Sequence, residues 1–271
     1  MFFAGIDAGS RAAKVVIIED DSGGQPRVIA RCSLQQGLNP GRTSDDLYRR
    51  LLDQSGINPG RVAMVVATGY GRASVAAANV TITEISCHAA GVRRLTPSAR
   101  TVIEIGGQDS KLLHLAADGS VRDFVMNDRC AAGTGRFLEM VADRLSCDLG
   151  RLGELSTAAK EPAAISSMCA VFAETEVIGL LASGRPAGEI IAGVQAAVAS
   201  RTAGMAAGAV QPIVFTGGVA MIAGMQRALA DALGMDVIVP PEPQFTGALG
   251  AALLARARFA GRPGSGIPAS K

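Results

Sequence analysis

The sequence predicts an α/β protein built from two duplicated domains. Three observations predict this fold class: strands alternate with helices, a hairpin led by an acidic residue occurs twice about one hundred residues apart, and glycine turns follow short apolar strands. With 271 residues, 48% of them hydrophobic, the chain is long enough to bury two cores. Its 33 glycines exceed the usual need of turns, which indicates that backbone closely approaches another group.

The duplication can be counted at the two hairpins. In each, the leading acid, Asp7 or Glu104, is followed by glycine two residues later and by lysine seven residues later. The predicted strands are residues 2–7 and 14–19 in the first hairpin, and residues 101–105 and 111–116 in the second. We interpret this repeat as one hairpin for each domain.

The remaining elements follow from hydrophobic periodicity and from glycine and proline punctuation. They are predicted as helices over 44–55, 84–95, 134–145, 171–181, 190–207, 222–233 and 247–258, and strands over 61–67, 213–215 and 237–239. The predicted domains are residues 1–97 and 98–259, with the last helix able to pack back on the first domain. Residues 260–271 have the composition of a disordered tail.

Composition excludes several function classes. The 26 basic and 24 acidic side chains are too balanced for a dedicated nucleic-acid or membrane-surface binder, and there is no tryptophan for base stacking. The amino terminus lacks the pattern of a signal peptide, so we expect a cytoplasmic protein. Glycines and a proline interrupt the uncharged stretch 202–226, which favours a buried strand with its loops over a membrane helix.

Three glycine turns are candidate phosphate sites, because glycine lets backbone amides reach an anion that a Cβ would block. The alternative is that they are only tight turns. Neither the P-loop pattern nor the dinucleotide-binding fingerprint is present. The predicted nucleotide-binding residues are Gly9, Ser10, Lys14, Gly106, Gly107, Gln108, Asp109, Gly217, Gly218 and Val219.

An acid at the end of each leading strand suits ATP chemistry. Asp7 can hold Mg²⁺ through water or orient the attacking water, and Lys14 can neutralise phosphate charge; Glu104 and Gln108 are the next catalytic candidates. The arrangement resembles the superfamily of actin, sugar kinases and heat-shock chaperones. That resemblance implies two ribonuclease-H-like domains with an ATP cleft between them.

Five scattered cysteines argue against a disulfide framework and raise the question of metal or redox use. Cys130 and Cys169 each precede a predicted helix, whose amino-terminal charge favours a thiolate or an anionic cluster. Two cysteines are half of a Cys₄ set, so two chains related by a two-fold axis would complete one. On chemistry alone, two buried structural cysteines remain the alternative.

Seven segments closely resemble the ATP-dependent activators of 2-hydroxyacyl-CoA dehydratases, a family that includes the ATPase subunits of benzoyl-CoA reductase. They are Gly5–Ser10, Ala67–Arg72, Ser86–Ala89, Glu104–Asp109, Asn127–Leu138, Cys169–Glu174 and Thr216–Val219. The resemblance implies a homodimer with one [4Fe-4S] cluster held by Cys130 and Cys169 of each chain, with ATP or ADP and Mg²⁺ bound. It also implies ATP-driven electron transfer to a partner dehydratase or reductase, from a donor such as ferredoxin or flavodoxin. Glu104 departs from the superfamily, which more often has aspartate there.

Other residues are expected to be structural. A cubane bound by two cysteines from each of two chains has no coordination position left for Cys32, Cys87 or Cys147. Cys87 and His88 are adjacent on a predicted helix and point in different directions, and His114 lies on a strand as a packed or surface residue. Tyr70 and Arg72 follow a strand and are candidate contacts with a partner or the cleft. A small-molecule kinase or a nucleotide-dependent sensor would share the ATP site without using iron.

Overall fold

The computed structural model describes residues 1–20, 24–166 and 169–261. The chain divides into two compact units, one formed by Met1–Pro97 with the segment from Phe245 onward, the other by Ser98–Gln244. Ala260 and Gly261 end the last helix, and the rest of the predicted tail, 262–271, lies outside the described residues. In the described part of the chain, no helix is both long and apolar enough to cross a membrane.

The first unit is built on a five-stranded sheet with the order β3-β2-β1-β4-β5. Its strands are β1 (Phe2–Ala8), β2 (Ala12–Glu19), β3 (Arg27–Gln35), β4 (Val62–Thr68) and β5 (Val80–Thr81). β1 pairs antiparallel with β2 and parallel with β4, so the central strand joins the hairpin to a crossover connection. β1 is buried along its whole length, which fits its apolar sequence.

Three helices cover this sheet: α1 (Pro40–Gln54), α2 (Glu84–Leu95) and α8 (Thr246–Ala260). Their close packing requires glycine at the contacts. A Cβ at Gly250 would overlap the Cys87 carbonyl on α2, and a Cβ at Gly5 would overlap the Ala248 carbonyl on α8. At these two positions glycine therefore serves helix packing rather than a ligand.

The second unit repeats the topology of the first. Its strands are β6 (Thr101–Ile105), β7 (Ser110–Leu115), β8 (Val121–Asn127), β9 (Ile213–Thr216) and β10 (Val237–Ile238). Their order is β10-β9-β6-β7-β8, with β6 antiparallel to β7 and parallel to β9. Each strand thus has a counterpart of the same order and direction in the first unit, and the predicted duplication is confirmed.

The helices of the second unit enclose its main core. They are α3 (Gly135–Arg144), α4 (Leu149–Thr157), α5 (Ala170–Ala182), α6 (Ala187–Met205) and α7 (Met225–Leu233). The core includes Ile103 and Phe215 from the sheet and Val194 from α6, all fully buried. α5 contributes little to it, because only Ala173 and Val177 of that helix are buried.

Several elements differ from the sequence prediction. β3, β5, β8 and α4 were not predicted; β3 and β8 are edge strands with mostly exposed side chains, so they lack the apolar alternation of a half-buried strand. The helix predicted from residue 222 begins at Met225, since residues 218–221 form a 3₁₀ turn and Gly224 has a φ of +90°. The helix predicted from residue 44 begins at Pro40, after the Asn39 cap, a start that proline at the first position favours.

Candidate functional site

The first hairpin places a charged pair at the end of the central strand. Asp7 on β1 lies opposite Lys14 on β2, and Lys14 Nζ donates a hydrogen bond to Asp7 Oδ2 over 3.2 Å. Asp7 is buried, and Gly9 and Ser10 lie in the partly exposed turn that follows. A Cβ on Gly9 would lie 3.0 Å from Lys14 Nζ, so a bare backbone here leaves room beside the ammonium group.

The second hairpin repeats this pair with more carboxylate. Lys111 Nζ lies 2.9 Å from Glu104 Oε2 and 2.7 Å from Asp109 Oδ2, and both Glu104 and Lys111 are buried. Gly106 allows this crowding, because a Cβ there would lie 2.8 Å from Asp109 Oδ1. Glu104 is therefore tied to Lys111 in this structure, while Gln108 lies exposed in the turn.

A further repeat, which the sequence analysis missed, follows the strands parallel to each hairpin. The turn Thr68-Gly69 ends β4 and the turn Thr216-Gly217 ends β9, and the two glycines have φ values of +90° and +93°. A Cβ on Gly69 would lie 2.5 Å from Asp7 Oδ1, and one on Gly217 would lie 2.8 Å from Glu104 Oε1. Each leading acid thus sits against a glycine turn of its own unit. The sequence does contain this repeat, as a Thr-Gly pair after each of the two apolar strands.

The start of α3 is fixed to the second hairpin turn. Gly135 and Arg136 donate their amides to the Gly106 and Gly107 carbonyls, both over 2.9 Å. A Cβ on Gly135 would lie 3.1 Å from Val219 Cγ2, so three of the predicted nucleotide residues gather around this helix start. Gly218 beside them is exposed. Both amides already donate to backbone carbonyls, so they position the turn and are not free to bind an anion.

The five cysteines fall into two groups. Cys130 and Cys169 are exposed, whereas Cys87 is buried and Cys32 and Cys147 are partly buried. Burial raises the pKa of Cys32 to about 11 and that of Cys87 to about 12, and it also raises the pKa of Cys147. The alternative of two buried structural cysteines at positions 130 and 169 is therefore wrong.

The local settings of Cys130 and Cys169 differ from each other. Cys169 occupies the N-cap position of α5 itself, with no side chain capping the helix. Cys130 also precedes its predicted helix, α3, but a single 3₁₀ turn lies between them and Thr134 caps α3. Asn127 positions Cys130: its Oδ1 accepts from the Cys130 amide over 3.0 Å, and its Nδ2 donates to the Cys130 carbonyl over 2.9 Å.

The segments that carry Cys130 and Cys169 approach each other within the second unit. Cys130 and Ser166, three residues before Cys169, line the same cavity of about 830 Å³. Arg144 on α3 pairs with Glu174 on α5, which joins the helices that follow the two cysteines. Within residues 1–20, 24–166 and 169–261, no group of three or more histidine, cysteine or acidic side chains could hold a metal ion.

The remaining candidates are placed as follows. Tyr70 is 81% exposed, and Arg72 bonds to the Gly69 carbonyl over 3.0 Å. Cys87 and His88 are both buried on α2, and His114 is buried on β7.

The chain has two units of identical topology, and each unit carries an acid and lysine pair beside glycine turns. These features are those of the actin and sugar-kinase ATPase fold, and the chain is a protein of this class. A model of the BadF/BadG/BcrA/BcrD ATPase family matches residues 4–255, and the chain belongs to this family. Family membership supports ATPase activity. The resemblance to activators of 2-hydroxyacyl-CoA dehydratases and the predicted fold class are both confirmed.

Comparison with individual proteins agrees with this assignment. The chain is 46% identical over 260 residues to the activator of lactoyl-CoA dehydratase of Anaerotignum propionicum, covering 94% of this chain and 97% of that protein. The activator of the 2-hydroxyisocaproyl-CoA dehydratase from Clostridium difficile, solved with bound ADPNP, superposes with a TM-score of 0.89 at 40% identity and 94% coverage of both chains. Component A of the (R)-2-hydroxyglutaryl-CoA dehydratase of Acidaminococcus fermentans gives a TM-score of 0.90 at 40% identity, covering 95% of this chain and 98% of that one.

Proposed function

We propose that this protein is an ATP-hydrolysing, iron–sulfur reductive activator that drives electrons at low potential onto a partner 2-hydroxyacyl-CoA dehydratase or a related reductase. The observation that carries the proposal is the pair of exposed cysteines, Cys130 and Cys169, in a member of an ATPase family. The other three thiols are buried or partly buried, whereas both of these are exposed and accessible as ligands. The similarity to dehydratase activators supplies the partner class.

On the nucleotide side, the two hairpin turns bind the phosphates. Lys14 neutralises phosphate charge next to Asp7, which orients the attacking water or a hydrated Mg²⁺. Glu104 is held by Lys111 and keeps the second turn in the shape that binds phosphate. The exposed Gln108 can contact the nucleotide directly. The turns around Gly106, Gly107, Asp109, Gly217, Gly218 and Val219 complete the binding residues of the second unit.

The cysteine pair fits an iron–sulfur cluster shared by two chains. A [4Fe-4S] cluster takes four thiolates, and each chain offers two, so a two-fold dimer supplies the set. When bound, such a cluster provides one-electron transfer at low potential. α5 supports the dimer, because it directly follows Cys169 and exposes Val171, Phe172 and Ile178, of which Phe172 is 70% exposed. An apolar face of this kind is typical of an interface between subunits.

The experiment is an iron and acid-labile sulfide assay on anaerobically purified cysteine variants, combined with the oligomeric state. Cys130→Ser or Cys169→Ser should abolish iron binding and weaken the dimer. Cys147→Ser is the matched control, a partly buried cysteine of the same unit, and it should retain wild-type iron, as should Cys32→Ser and Cys87→Ser. Full iron content in either of the first two variants would contradict the assignment, and iron-free wild-type protein would leave only a nucleotide-dependent ATPase.

A further inference from the structure

His88 is a buried histidine that the proposed function does not use. It lies on α2 with 6% of its surface exposed, next to Cys87. Cys87 belongs to the apolar cluster beneath the sheet, whereas the His88 ring faces the start of α8 at Gly247. Its Nδ1 atom is buried and has no hydrogen-bond partner among the described residues. A buried polar atom without a partner costs about 1–3 kcal/mol, so the fold holds this histidine at a cost in stability.

The ring lies close to the leading acid of the first hairpin. The position that a Cβ of Gly247 would take is 3.1 Å from His88 Nε2 and 3.5 Å from Asp7 Oδ2. These two distances limit the separation of Nε2 from Oδ2 to at most 6.6 Å. Since Gly247 has no Cβ, nothing from that residue's side chain stands between the imidazole and the carboxylate. His88 and Asp7 do not bond directly in this structure, whereas two hydrogen bonds through one water span about 6 Å.

The other contacts of Asp7 do not fix the orientation of its carboxylate. Lys14 Nζ donates to Oδ2 over 3.2 Å, and Oδ1 faces the glycine turn at Gly69. The lysine supplies charge, but a single long hydrogen bond does not fix the plane of a carboxylate. A second donor aimed at the carboxylate from α2 would fix it, and His88 Nε2 is the ring nitrogen on that side.

We propose that His88 is a positioning residue for Asp7, whose Nε2 donates a hydrogen bond through one water that holds the Asp7 carboxylate in the orientation needed for ATP hydrolysis. This inference rests on the catalytic role proposed above for Asp7. It acts on the chemical step more than on nucleotide affinity, because misplacing a catalytic group slightly can lower turnover about a hundredfold. His88 carries out no chemistry itself.

The first test separates turnover from binding in the full-length protein. His88→Leu should lower kcat for ATP at least tenfold while the dissociation constant for Mg-ADP changes less than threefold. His88→Gln should recover most of the activity, since the glutamine amide nitrogen can donate from nearly the position of Nε2. His114→Gln is the matched control, because His114 is the chain's other histidine and is also buried, and it should leave kcat unchanged. Unchanged kcat in His88→Leu, or equal loss in His88→Leu and His88→Gln, would overturn the proposal.

The second test does not depend on how the histidine variants fold. The chain has two histidines, so protein labelled with ¹⁵N-histidine gives two sets of ring signals, and His88→Gln assigns them. If His88→Gln does not fold, His114→Gln assigns them instead. Asp7→Asn should shift the His88 ring nitrogens and leave those of His114 in place. If neither set moves, or both move equally, His88 is not coupled to Asp7. If Asp7→Asn retains full ATP turnover, the role proposed for Asp7 fails, which is a separate result from the failure of His88.

Discussion

Lys111→Met should destabilise the second unit strongly, because it removes the ammonium group from a buried cluster of charges. The Lys111 side chain is 3% exposed and bonds to both Glu104 and Asp109. Methionine fills a similar volume without charge, so the substitution tests electrostatics rather than packing. Glu104 would keep a buried carboxylate that has lost its lysine.

The expected loss can be worked from this burial. Removing one partner of a buried ion pair costs about 3–5 kcal/mol, and the Glu104 side chain, 7% exposed, falls in this class. At about 2–4 °C for each kcal/mol, the melting temperature should fall by about 6–20 °C. The duplicated pair provides the matched control. Lys14→Met removes one hydrogen bond of 3.2 Å from a more exposed lysine, so we expect a smaller loss of about 1.5–3 kcal/mol.

Urea and thermal unfolding of the two variants measure this difference. A compensating variant sharpens the test: Glu104→Gln with Lys111→Met removes the stranded charge and should recover part of the stability. The reasoning would be refuted if Lys111→Met cost no more than Lys14→Met, or if the double variant were less stable than Lys111→Met alone.

Three further predictions concern the acid of the first hairpin and the cysteines. Asp7→Asn should lower ATP turnover by two or more orders of magnitude while nucleotide affinity stays within about tenfold, because the amide keeps the shape and loses the charge; unchanged turnover would move the role to Glu104 or Gln108. In iron-free protein at pH 8, iodoacetamide should modify Cys130 and Cys169 first, as mass spectrometry of the alkylated protein would show, since burial raises the pKa of Cys87 to about 12. The sign for stability follows: the neutral Cys87 thiol stabilises the fold below pH about 9, and this contribution is lost as pH rises towards 12, which unfolding curves of Cys87→Ala against wild type would detect.

The sequence predicted the elements whose signals are local. The two hairpins were found because acid, glycine and lysine recur at fixed spacing, and the cross-strand pairs Asp7 with Lys14 and Glu104 with Lys111 follow from that spacing in an antiparallel register. α2 was predicted with the bounds it has in the structure, since Thr83 caps it and its apolar periodicity is regular.

What the sequence did not predict depends on contacts between distant segments. β8 is an exposed edge strand that places Asn127 where it bonds Cys130. Its sequence lacks the alternation of apolar and polar residues that would predict a strand. The approach of His88 to Asp7 depends on α8 returning to the first unit with a glycine at position 247. Such approaches are set by packing between elements, which spacing along the chain does not encode.

The second hairpin turn is connected to Cys130 by two routes: Gly135 and Arg136 bond the turn to the start of α3, and Ser110 pairs with Asn127, which holds Cys130. A nucleotide that moves the turn should therefore move Cys130. Mg-ATP, more than Mg-ADP, should then change the reduction potential of the bound iron or the rate at which a chelator removes it.

The size of this effect is limited by the differential affinity of the nucleotide for the two states. Coupling energies between sites are typically about 1–3 kcal/mol, or about 5–150-fold, which for one electron corresponds to about 40–130 mV. By reciprocity, reducing the iron should change nucleotide affinity by the same factor.

Gly135→Pro tests the first route, because proline is tolerated at the first position of a helix but has no amide hydrogen to donate to the Gly106 carbonyl. Gly135→Ala keeps that amide and controls for the added Cβ. The proline variant should show the smaller shift. Identical potentials and chelation rates in the apo, ADP and ATP forms of the wild type would mean that the two sites are uncoupled, and electron injection driven by ATP would fail even if both sites exist.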